Sequence, residues 1–495
     1  MTIRSVVDVV VHTHWDRERA LPRETTLARL QAVMADVLVQ LDSGELPSFL
    51  LDGQTVTWRD LLAVAPSEMA ARLQHHARAG RLVLGPWYVS ASEFLVSGES
   101  LLRNLGFGQA DAADFAPAQR MGYLPDHFGH VAQMPPVLGQ FAIHSAVLWR
   151  GAGALHDRFD WHAPDGTVVC TVSLTKSFGL HPLHGARPAT AQHLPTLWAE
   201  PGPRQSLHGE LRHDTPACVL PGVLGTRRPL KQARQQLEDE PALHARLLGH
   251  NAARDQRTRL LLPWCDDSAA STLGDTAFAI TERPVRLAQI PAEPSRREMP
   301  VVVHPGLSTV VAGPLAVLHR ALHEHEVVLR EGRRSLALTL VRSAGWLSRR
   351  DLRARARGAG PDPATPGAQC LGEQVAEFRL LALQRDDAAH TALAAAQQMP
   401  RPLLLLRGHG VRWAATVEIG NPVVMTSSVR RRLGGVLELR LWKPTPEPQL
   451  LALDSSQGET VFADGRPHPG PVNQLAPFAI HTLRQRALIQ RGIPA

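Results

Sequence analysis

The chain has 495 residues, 44% of them hydrophobic and 20% charged, which is enough for two or three globular domains. Its formal charge is +7, but the arginines are scattered rather than gathered on one face among aromatic residues, which argues against nucleic-acid binding. No apolar run reaches the roughly 18 residues of a membrane span, and Asp8 interrupts the opening run that a signal peptide would need. We therefore expect a cytoplasmic protein with no nucleic-acid or membrane partner.

The first predicted strand is a β-branched run over residues 6–11, followed by His12, His14 and Asp16. Such a run is typical of a strand buried on both faces of a parallel sheet. Imidazole and carboxylate groups are zinc ligands, and residues i and i+2 of an extended chain project to the same side. Either His12 with His14, or His14 with Asp16, could share one cation.

Helices and strands then alternate. Apolar spacing predicts helices over 25–42, over 67–79 and from Ser97 onward, and strands over 48–51, 82–84, 121–124 and 145–149. This alternation indicates a parallel sheet or an α/β barrel, in which functional residues lie at the carboxyl ends of strands. Groups suited to chemistry follow the predicted strands, and we expect them to form one site: His14, Asp16, Asp52, Trp87, Asp126 and Arg150.

The pattern changes after about residue 160. Asp165-Gly166 predicts a hairpin turn, 178–216 shows no clear periodicity, and 229–247 has helical spacing. Strand patterns separated by Pro and Gly turns then predict a β-sandwich, with strands over 259–262, 301–303, 335–341, 437–441 and 478–483. The four cysteines lie far apart with no Cys-x-x-Cys spacing, so neither a disulfide scaffold nor a cysteine zinc site is expected.

Five motifs together resemble glycoside hydrolase family 38, the zinc-dependent α-mannosidases, and they occur in the family's order. They are His-Thr-His-Trp-Asp-Arg-Glu over 12–18, Leu-Asp-Gly-Gln over 51–54, Gly-Pro-Trp-Tyr over 85–88, Val-Ser-Gly-Glu-Ser-Leu-Leu-Arg-Asn over 96–104 and Gly-Tyr-Leu-Pro-Asp-His-Phe-Gly-His over 122–130. Later stretches over 221–227, 341–348 and 365–372 resemble the bacterial branch. The resemblance therefore touches most of the chain, with gaps.

The resemblance implies an α/β plus β fold. A seven-stranded β/α barrel-like domain carrying the metal-site motifs is expected over 1–177, and an irregular segment with a helical-bundle remnant over 178–247. A β-sandwich region is expected over 248–495. Segments of the family that have no match in this chain leave open whether the barrel is complete.

The resemblance also implies the chemistry. His14, Asp16 and Asp126 would bind one Zn²⁺, and Asp126 would be the nucleophile of a retaining glycosidase. Substrate-binding residues would be Asp52, Trp87, Phe128 and Arg150, with Arg150 bonding either Asp126 or a sugar hydroxyl. The substrate would be a terminal α-mannoside, on a mannose-containing glycan or a mannosylated small molecule, and homo-oligomers are common in the family.

Three departures favour an alternative. Arg19 stands where the family usually has a tryptophan that stacks on the sugar, and Ser92 stands where an acidic residue usually precedes Glu93. The segments carrying the acid/base aspartate and the fourth zinc ligand have no match.

Asp266, in Trp-Cys-Asp over 264–266, could replace the histidine of the fourth-ligand motif, but its flanks resemble a later β segment. A stretch of the family is therefore missing from this chain, with the junction near 235–250. The alternative is a catalytically degenerate homologue that binds a sugar or a partner; a polysaccharide deacetylase is not favoured, because its acidic opening motif is missing.

Overall fold

The computed structural model describes most of the chain, and everything below concerns these residues. They are 10–17, 21–151, 158–174, 205–208, 211–212, 242–262, 270–287, 301–322, 324–330, 332–349, 351, 363–383, 389–397, 421, 423–432, 436–451, 458–470 and 473–486. Several sequence predictions fall elsewhere: the strand over 6–9, Arg19, most of 178–216, Asp266 and the motif over 221–227. The described part is a mixed α/β protein with few helices and many sheets.

The N-terminal part holds five of the described α-helices and short strands. Its helices are α1 Arg23–Ser43, α2 Thr55–Val64, α3 Ser67–Arg78, α4 Gly98–Ala113 and α5 Met134–Gly139. Its strands are β1 Phe49–Leu50, β2 Leu82–Val83, β3 Gly122–Leu124, β4 Gly129–His130, β5 Ser145–Leu148, β6 Arg158–His162, β7 Val168–Ser173, β8 Gln205–His208 and β9 Leu211–Arg212. The strand and helix predictions over 25–149 are confirmed to within a few residues.

Local chemistry explains most of these boundaries. Gly44 ends α1 in the left-handed region with a φ of 78°, a conformation that costs glycine little. Ser97 caps α4, because its side chain accepts a hydrogen bond from the backbone N–H of Ser100 at 3.2 Å. The hairpin predicted at Asp165-Gly166 joins β6 to β7 in an antiparallel pair.

The sequence analysis did not predict helix α2. It opens with Thr55, Val56 and Thr57, whose β-branched side chains lower helix propensity. Its first N–H groups are satisfied from outside the helix: Thr55 and Val56 donate to the backbone carbonyls of Trp87 and Tyr88, both at 2.9 Å. A tertiary contact therefore starts this helix where local sequence disfavours it.

Parallel pairing aligns the ends of the first strands. β1 pairs parallel with β2, His12 forms a parallel bridge to Leu50, and Gln54 forms one to Trp87. A separate five-stranded sheet has the order β3-β5-β7-β6-β8, in which only the β7–β6 neighbours are antiparallel. Each of these segments leads to one candidate site residue. His14 follows the opening stretch, residues 10–13, Asp52 follows β1, and Asp126 follows β3.

The C-terminal part is built of antiparallel sheets. A six-stranded sheet has the order β10-β19-β16-β15-β12-β13, and four-stranded sheets have the orders β11-β18-β17-β14 and β20-β21-β25-β23. The strands are β10 Ala242–Asn251, β11 Arg257–Leu262, β12 Ser271–Thr276, β13 Ala279–Pro284, β14 His304–Pro305, β15 Thr309–Ala312, β16 Leu315–His319, β17 Glu324–Arg330, β18 Arg333–Arg342, β19 Gly372–Ala382, β20 Met425–Arg431, β21 Val436–Trp442, β22 Gln449–Leu450, β23 Gly458–Val461, β24 Gln474–Leu475 and β25 Ile480–Arg486. A sixth helix covers Ala389–Gln397.

Two predictions for this part are wrong in detail. Residues 242–247 of the predicted helix over 229–247 belong to strand β10, which pairs with β19 from Ala242 opposite Leu381 to Asn251 opposite Gly372. The partner lies about 130 residues away along the chain, so local spacing carries no sign of it. Residues 301–303 lie just before β14 and are not in a strand.

The N- and C-terminal parts share one hydrophobic core. Trp87, Leu101 and Phe141 lie in the same buried cluster as Phe278 and Trp442. Polar contacts add to this packing. Arg440 donates to Glu99 Oε2 at 2.7 Å, Gln133 donates to the carbonyl of Phe478 at 3.2 Å, and Gln140 donates to that of Ile480 at 3.2 Å.

None of the helices in the described ranges combines the length and apolar character needed to span a bilayer.

Two glycines of α4 provide a test of this packing. A Cβ at Gly108 would lie 2.2 Å from the carbonyl oxygen of Pro86 and 2.4 Å from the carbonyl carbon of Trp87, whereas at Gly106 it would meet Phe141 at 3.8 Å. We expect Gly108→Ala to destabilise the protein by about 1–3 kcal/mol because backbone must move. Gly106→Ala should stabilise it by up to about 1 kcal/mol through helix propensity. Urea unfolding measures both, and equal effects of the two substitutions would contradict the packing described.

Candidate functional site

The opening stretch lies beside β1 and ends at the site. Leu50 donates its backbone N–H to the carbonyl of Val11 at 3.0 Å, and Thr13 donates to the carbonyl of Leu50 at 3.3 Å. His14 and Asp16 follow this pairing directly. The backbone path therefore delivers both side chains to the carboxyl end of β1, as expected for functional residues of a parallel sheet.

His14, Asp16 and Asp126 form a group of potential metal ligands, with all three ligand atoms within 4.8 Å of one another. His14 Nε2 lies 3.6 Å from Asp16 Oδ1 and 3.5 Å from Asp126 Oδ2. Zinc bonds to nitrogen and oxygen of about 2.0–2.1 Å place tetrahedral ligands about 3.3–3.4 Å apart. The spacing and the donor types both fit a zinc ion.

His12 is directed elsewhere. Its Nδ1 lies 3.1 Å from the hydroxyl oxygen of Tyr123, and it is not part of the ligand group. Of the two pairs that the sequence left open, the geometry brings together His14 and Asp16.

Asp52 lies behind His14, not in the open part of the site. His14 Nδ1 donates to Asp52 Oδ1 at 3.2 Å, and Gln54 donates to Asp52 Oδ2 at 2.6 Å. The Asp52 residue is only 2% exposed. Carboxylates in this position hold the ring of a metal-bound histidine and fix its tautomer.

The backbone at Asp52 is held by its neighbours. Asp52 has a φ of 50° and Gly53 a φ of 66°, and a Cβ on Gly53 would lie 2.3 Å from the ring of Tyr123. Gln54 is fixed in turn, because its Oε1 accepts the backbone N–H of Ser90 at 2.7 Å. Residues 52–54 belong to the Leu-Asp-Gly-Gln motif of the sequence, but the motif does not predict these contacts.

Arg150 is held against Asp126. Its Nε donates to Asp126 Oδ1, and its guanidinium carbon lies 4.3 Å from the Trp149 ring centroid and 5.0 Å from that of Phe128. Cations are attracted to such ring faces. The bond to Asp126 is one of the two alternatives predicted for Arg150; the bond to a sugar hydroxyl stays a prediction.

Charged groups in the described part of the site shift each other's pKa values. Burial alone would raise the pKa of Asp126, but the hydrogen bond from His14 and the charge of Arg150 outweigh it and hold that pKa at about 2. Burial opposes protonation of His14, yet the carboxylates of Asp52, Asp126 and Asp16 raise its pKa well above the ordinary value. A divalent cation bound by these carboxylates would replace the imidazole proton of His14.

Trp87 and Phe128 differ in exposure. Trp87 is 1% exposed, and its Nε1–H donates to the carbonyl of Tyr123 at 3.1 Å, at the base of a pocket also lined by His14, Asp52, Gln54 and Ser90. Phe128 is half-buried beside Arg150. Sequence reasoning did not single out Gln54, Ser90 or Tyr123 as site residues.

A second cluster adjoins the first. Glu93, His127 and His130 are fully buried, and their ligand atoms also lie within 4.8 Å of one another. Burial would raise the pKa of Glu93, but His130 and His127 outweigh it and lower that pKa to about 2.

Similarity to known proteins identifies the family of the chain. The model of the glycosyl hydrolases family 38 N-terminal domain matches residues 4–277. A curated protein of Halalkalibacterium halodurans named "Putative mannosylglycerate hydrolase" is 35% identical over 188 residues, which are 35% of this chain and 21% of that protein. The aligned part thus spans about a fifth of that relative.

Solved structures show a similar fold. An alpha-mannosidase from Enterococcus faecalis superposes with a TM-score of 0.74 at 14% identity, covering 96% of this chain and 99% of that one. A glycosyl hydrolase family 38 protein, also from Enterococcus faecalis, gives a TM-score of 0.64 at the same identity and coverage. The family model covers more than half of the residues, and the chain therefore belongs to glycosyl hydrolase family 38.

Proposed function

We propose that this chain is a retaining α-mannosidase that uses one Zn²⁺ and takes Asp126 as its nucleophile. The observation that carries the proposal is the convergence of His14, Asp16 and Asp126 at distances suited to zinc. When bound, zinc would polarise sugar hydroxyls and help to orient the ring. A degenerate homologue would have no need to keep this ligand set together, so the geometry supports the enzyme over that alternative.

Asp126 is suited to nucleophilic attack. A retaining glycosidase needs an ionised carboxylate below the anomeric carbon, and a pKa of about 2 keeps Asp126 ionised at neutral pH. Its attack would form a glycosyl ester as the bond to the leaving oxygen breaks, and that oxygen would take a proton from solvent. Water would then cleave the ester, which releases the sugar and a proton and restores the Asp126 carboxylate. Arg150 would keep the carboxylate oriented through its bond to Oδ1.

The substrate proposed is a terminal α-mannoside. The name of the Halalkalibacterium halodurans relative supports a mannosylated small molecule as one form of it. Phe128 and Arg150 adjoin Asp126 and are proposed to line the sugar site, with Trp87 at its base. For Asp52 we propose orientation of His14 in place of direct substrate binding, because both of its oxygens face protein donors.

The architecture proposed follows the family. The parallel pairings of β1, β2, β3 and β5 support a β/α barrel-like domain within 1–177. The six-stranded sheet and the β11-β18-β17-β14 sheet contribute to one hydrophobic cluster, which supports a β-sandwich region. Strand β10 favours placing the start of that region near 242 rather than 248.

The nucleophile can be tested directly. With zinc supplied, the parent should hydrolyse 4-nitrophenyl α-mannoside and lose this activity on chelation. Asp126→Ala should reduce kcat by at least about 1000-fold, because the attacking group is gone. Asp351→Ala, at an exposed carboxylate that pairs with nearby Arg349, is the control and should keep parental activity. A parent inactive with every metal tried would contradict the proposal.

The role of Asp52 can be tested without turnover. Asp52→Asn removes the charge behind His14 and should weaken zinc binding by about 10–100-fold, as measured by titration of metal-free protein with a competing chelator. Asp42→Asn is the matched control, because Asp42 also bonds a histidine, His76, but lies away from the ligand group. Parental zinc affinity in Asp52→Asn would show that Asp52 does not orient a metal ligand.

A further inference from the structure

The cluster of Glu93, His127 and His130 surrounds one carboxylate. Glu93 Oε1 accepts from His127 Nδ1 at 2.9 Å and from His130 Nδ1 at 2.8 Å, and Oε2 accepts the backbone N–H of Val131 at 2.9 Å. Side-chain exposure is 0% for Glu93 and His130 and 3% for His127. A carboxylate from one segment thus gathers three donors from the loop that follows Asp126.

The distances in this cluster are those of hydrogen bonds. Nitrogen-to-oxygen separations of 2.8–2.9 Å match the usual range for N–H···O contacts and are shorter than the roughly 3.3–3.4 Å between ligands of a tetrahedral zinc. The neighbouring group at His14 has 3.5 and 3.6 Å instead. The two clusters therefore differ in kind, although their residue types are alike.

Both rings are held at both nitrogens. His130 Nε2 lies 3.0 Å from the carbonyl oxygen of Arg150, and His130 Nδ1 faces the Glu93 carboxylate at 2.8 Å. His127 Nε2 lies 2.8 Å from the hydroxyl oxygen of Ser90. The Glu93 carboxylate is therefore linked to the backbone of Arg150 through the His130 ring.

The cluster of Glu93, His127 and His130 adjoins both Asp126 and Arg150. His127 and His130 follow Asp126 closely along the chain, with His130 in strand β4, and His130 also bonds the backbone carbonyl of Arg150. The two backbones pass closely, since a Cβ on Gly151 would lie 2.7 Å from the backbone nitrogen of Gly129. Movement at Glu93 would therefore shift Asp126 and Arg150 relative to each other.

We propose that Glu93 is a positioning residue, whose bonds to His127 and His130 hold Asp126 and Arg150 in the arrangement that the reaction needs. This inference rests on the proposed function of the Asp126 site, and it makes the second cluster a hydrogen-bonded support rather than a second metal site. The N–H of Val131 completes the bonds of the carboxylate.

The first test counts and titrates zinc. The parent should bind one zinc ion per chain. Glu93→Gln should still fold, bind zinc at least about tenfold more weakly, and lower kcat by about 10–100-fold with little change in KM. The matched control is Glu438→Gln, since Glu438 is a similarly buried carboxylate that bonds arginines in the β20-β21-β25-β23 sheet. Glu438→Gln should leave zinc affinity, kcat and KM unchanged.

The second test is independent of metal and of activity. In nitrogen-15 spectra of the metal-free protein, Glu93→Gln should shift the backbone amide signals of both Asp126 and Arg150, with His130→Gln as the second variant, and Glu438→Gln should leave both in place. This measurement tests the positioning role even if Glu93→Gln does not fold or if the parent binds no zinc, which would count against the proposed function alone.

Three results would overturn the inference. A second zinc ion in the parent that is lost in Glu93→Gln would make the cluster a metal site. Parental zinc affinity and kcat in a folded Glu93→Gln would remove the positioning role. Unshifted amide signals of Asp126 and Arg150 in folded Glu93→Gln and His130→Gln would contradict the link between the cluster and these two residues.

Discussion

The carboxylates of Asp16, Asp52 and Asp126 all face the ring of His14, and the rest of the site is arranged around this concentration of negative charge. Buried carboxylates are costly unless cations or hydrogen-bond donors compensate them. Here Arg150 compensates Asp126, and Gln54 compensates Asp52. A divalent cation held by His14, Asp16 and Asp126 would add positive charge to this group.

The fold supplies these groups from segments far apart in sequence. Parallel pairing aligns the opening stretch with β1, and the five-stranded sheet brings Asp126 and Arg150 out at neighbouring strand ends, β3 and β5. Buried bonds then fix the loops after each strand. Long-range pairing places the residues, and short polar contacts orient them.

Much of this could be predicted from sequence. Motif order and strand-end position identified His14, Asp16, Asp126 and Arg150, because each follows an apolar run that a periodicity argument can detect. Helix α1 and the cap at Ser97 were predictable for similar local reasons.

Helix α2 could not be predicted, because backbone carbonyls from Trp87 and Tyr88 accept its first N–H groups. Strand β10 could not be predicted either, because its partner is remote. The arrangement behind His14 depends on Gly53 meeting Tyr123, a contact of two residues 70 positions apart, and no local pattern encodes it.

The contacts between the two parts of the chain have a consequence for how the protein can change. Glu99 belongs to the Val-Ser-Gly-Glu motif of the N-terminal part, yet it bonds Arg440 of strand β21, and Gln133 and Gln140 bond carbonyls of the final strands and turns. The motif therefore joins the two parts of the molecule as well as marking its family. Exchanging the C-terminal sheets with those of a relative would remove the partners that these two amides and Glu99 have in that part, and would leave Glu99 with Arg103 of its own helix. We expect the sequences of the N- and C-terminal parts to vary together among relatives, with substitutions at Glu99 matched by changes at Arg440.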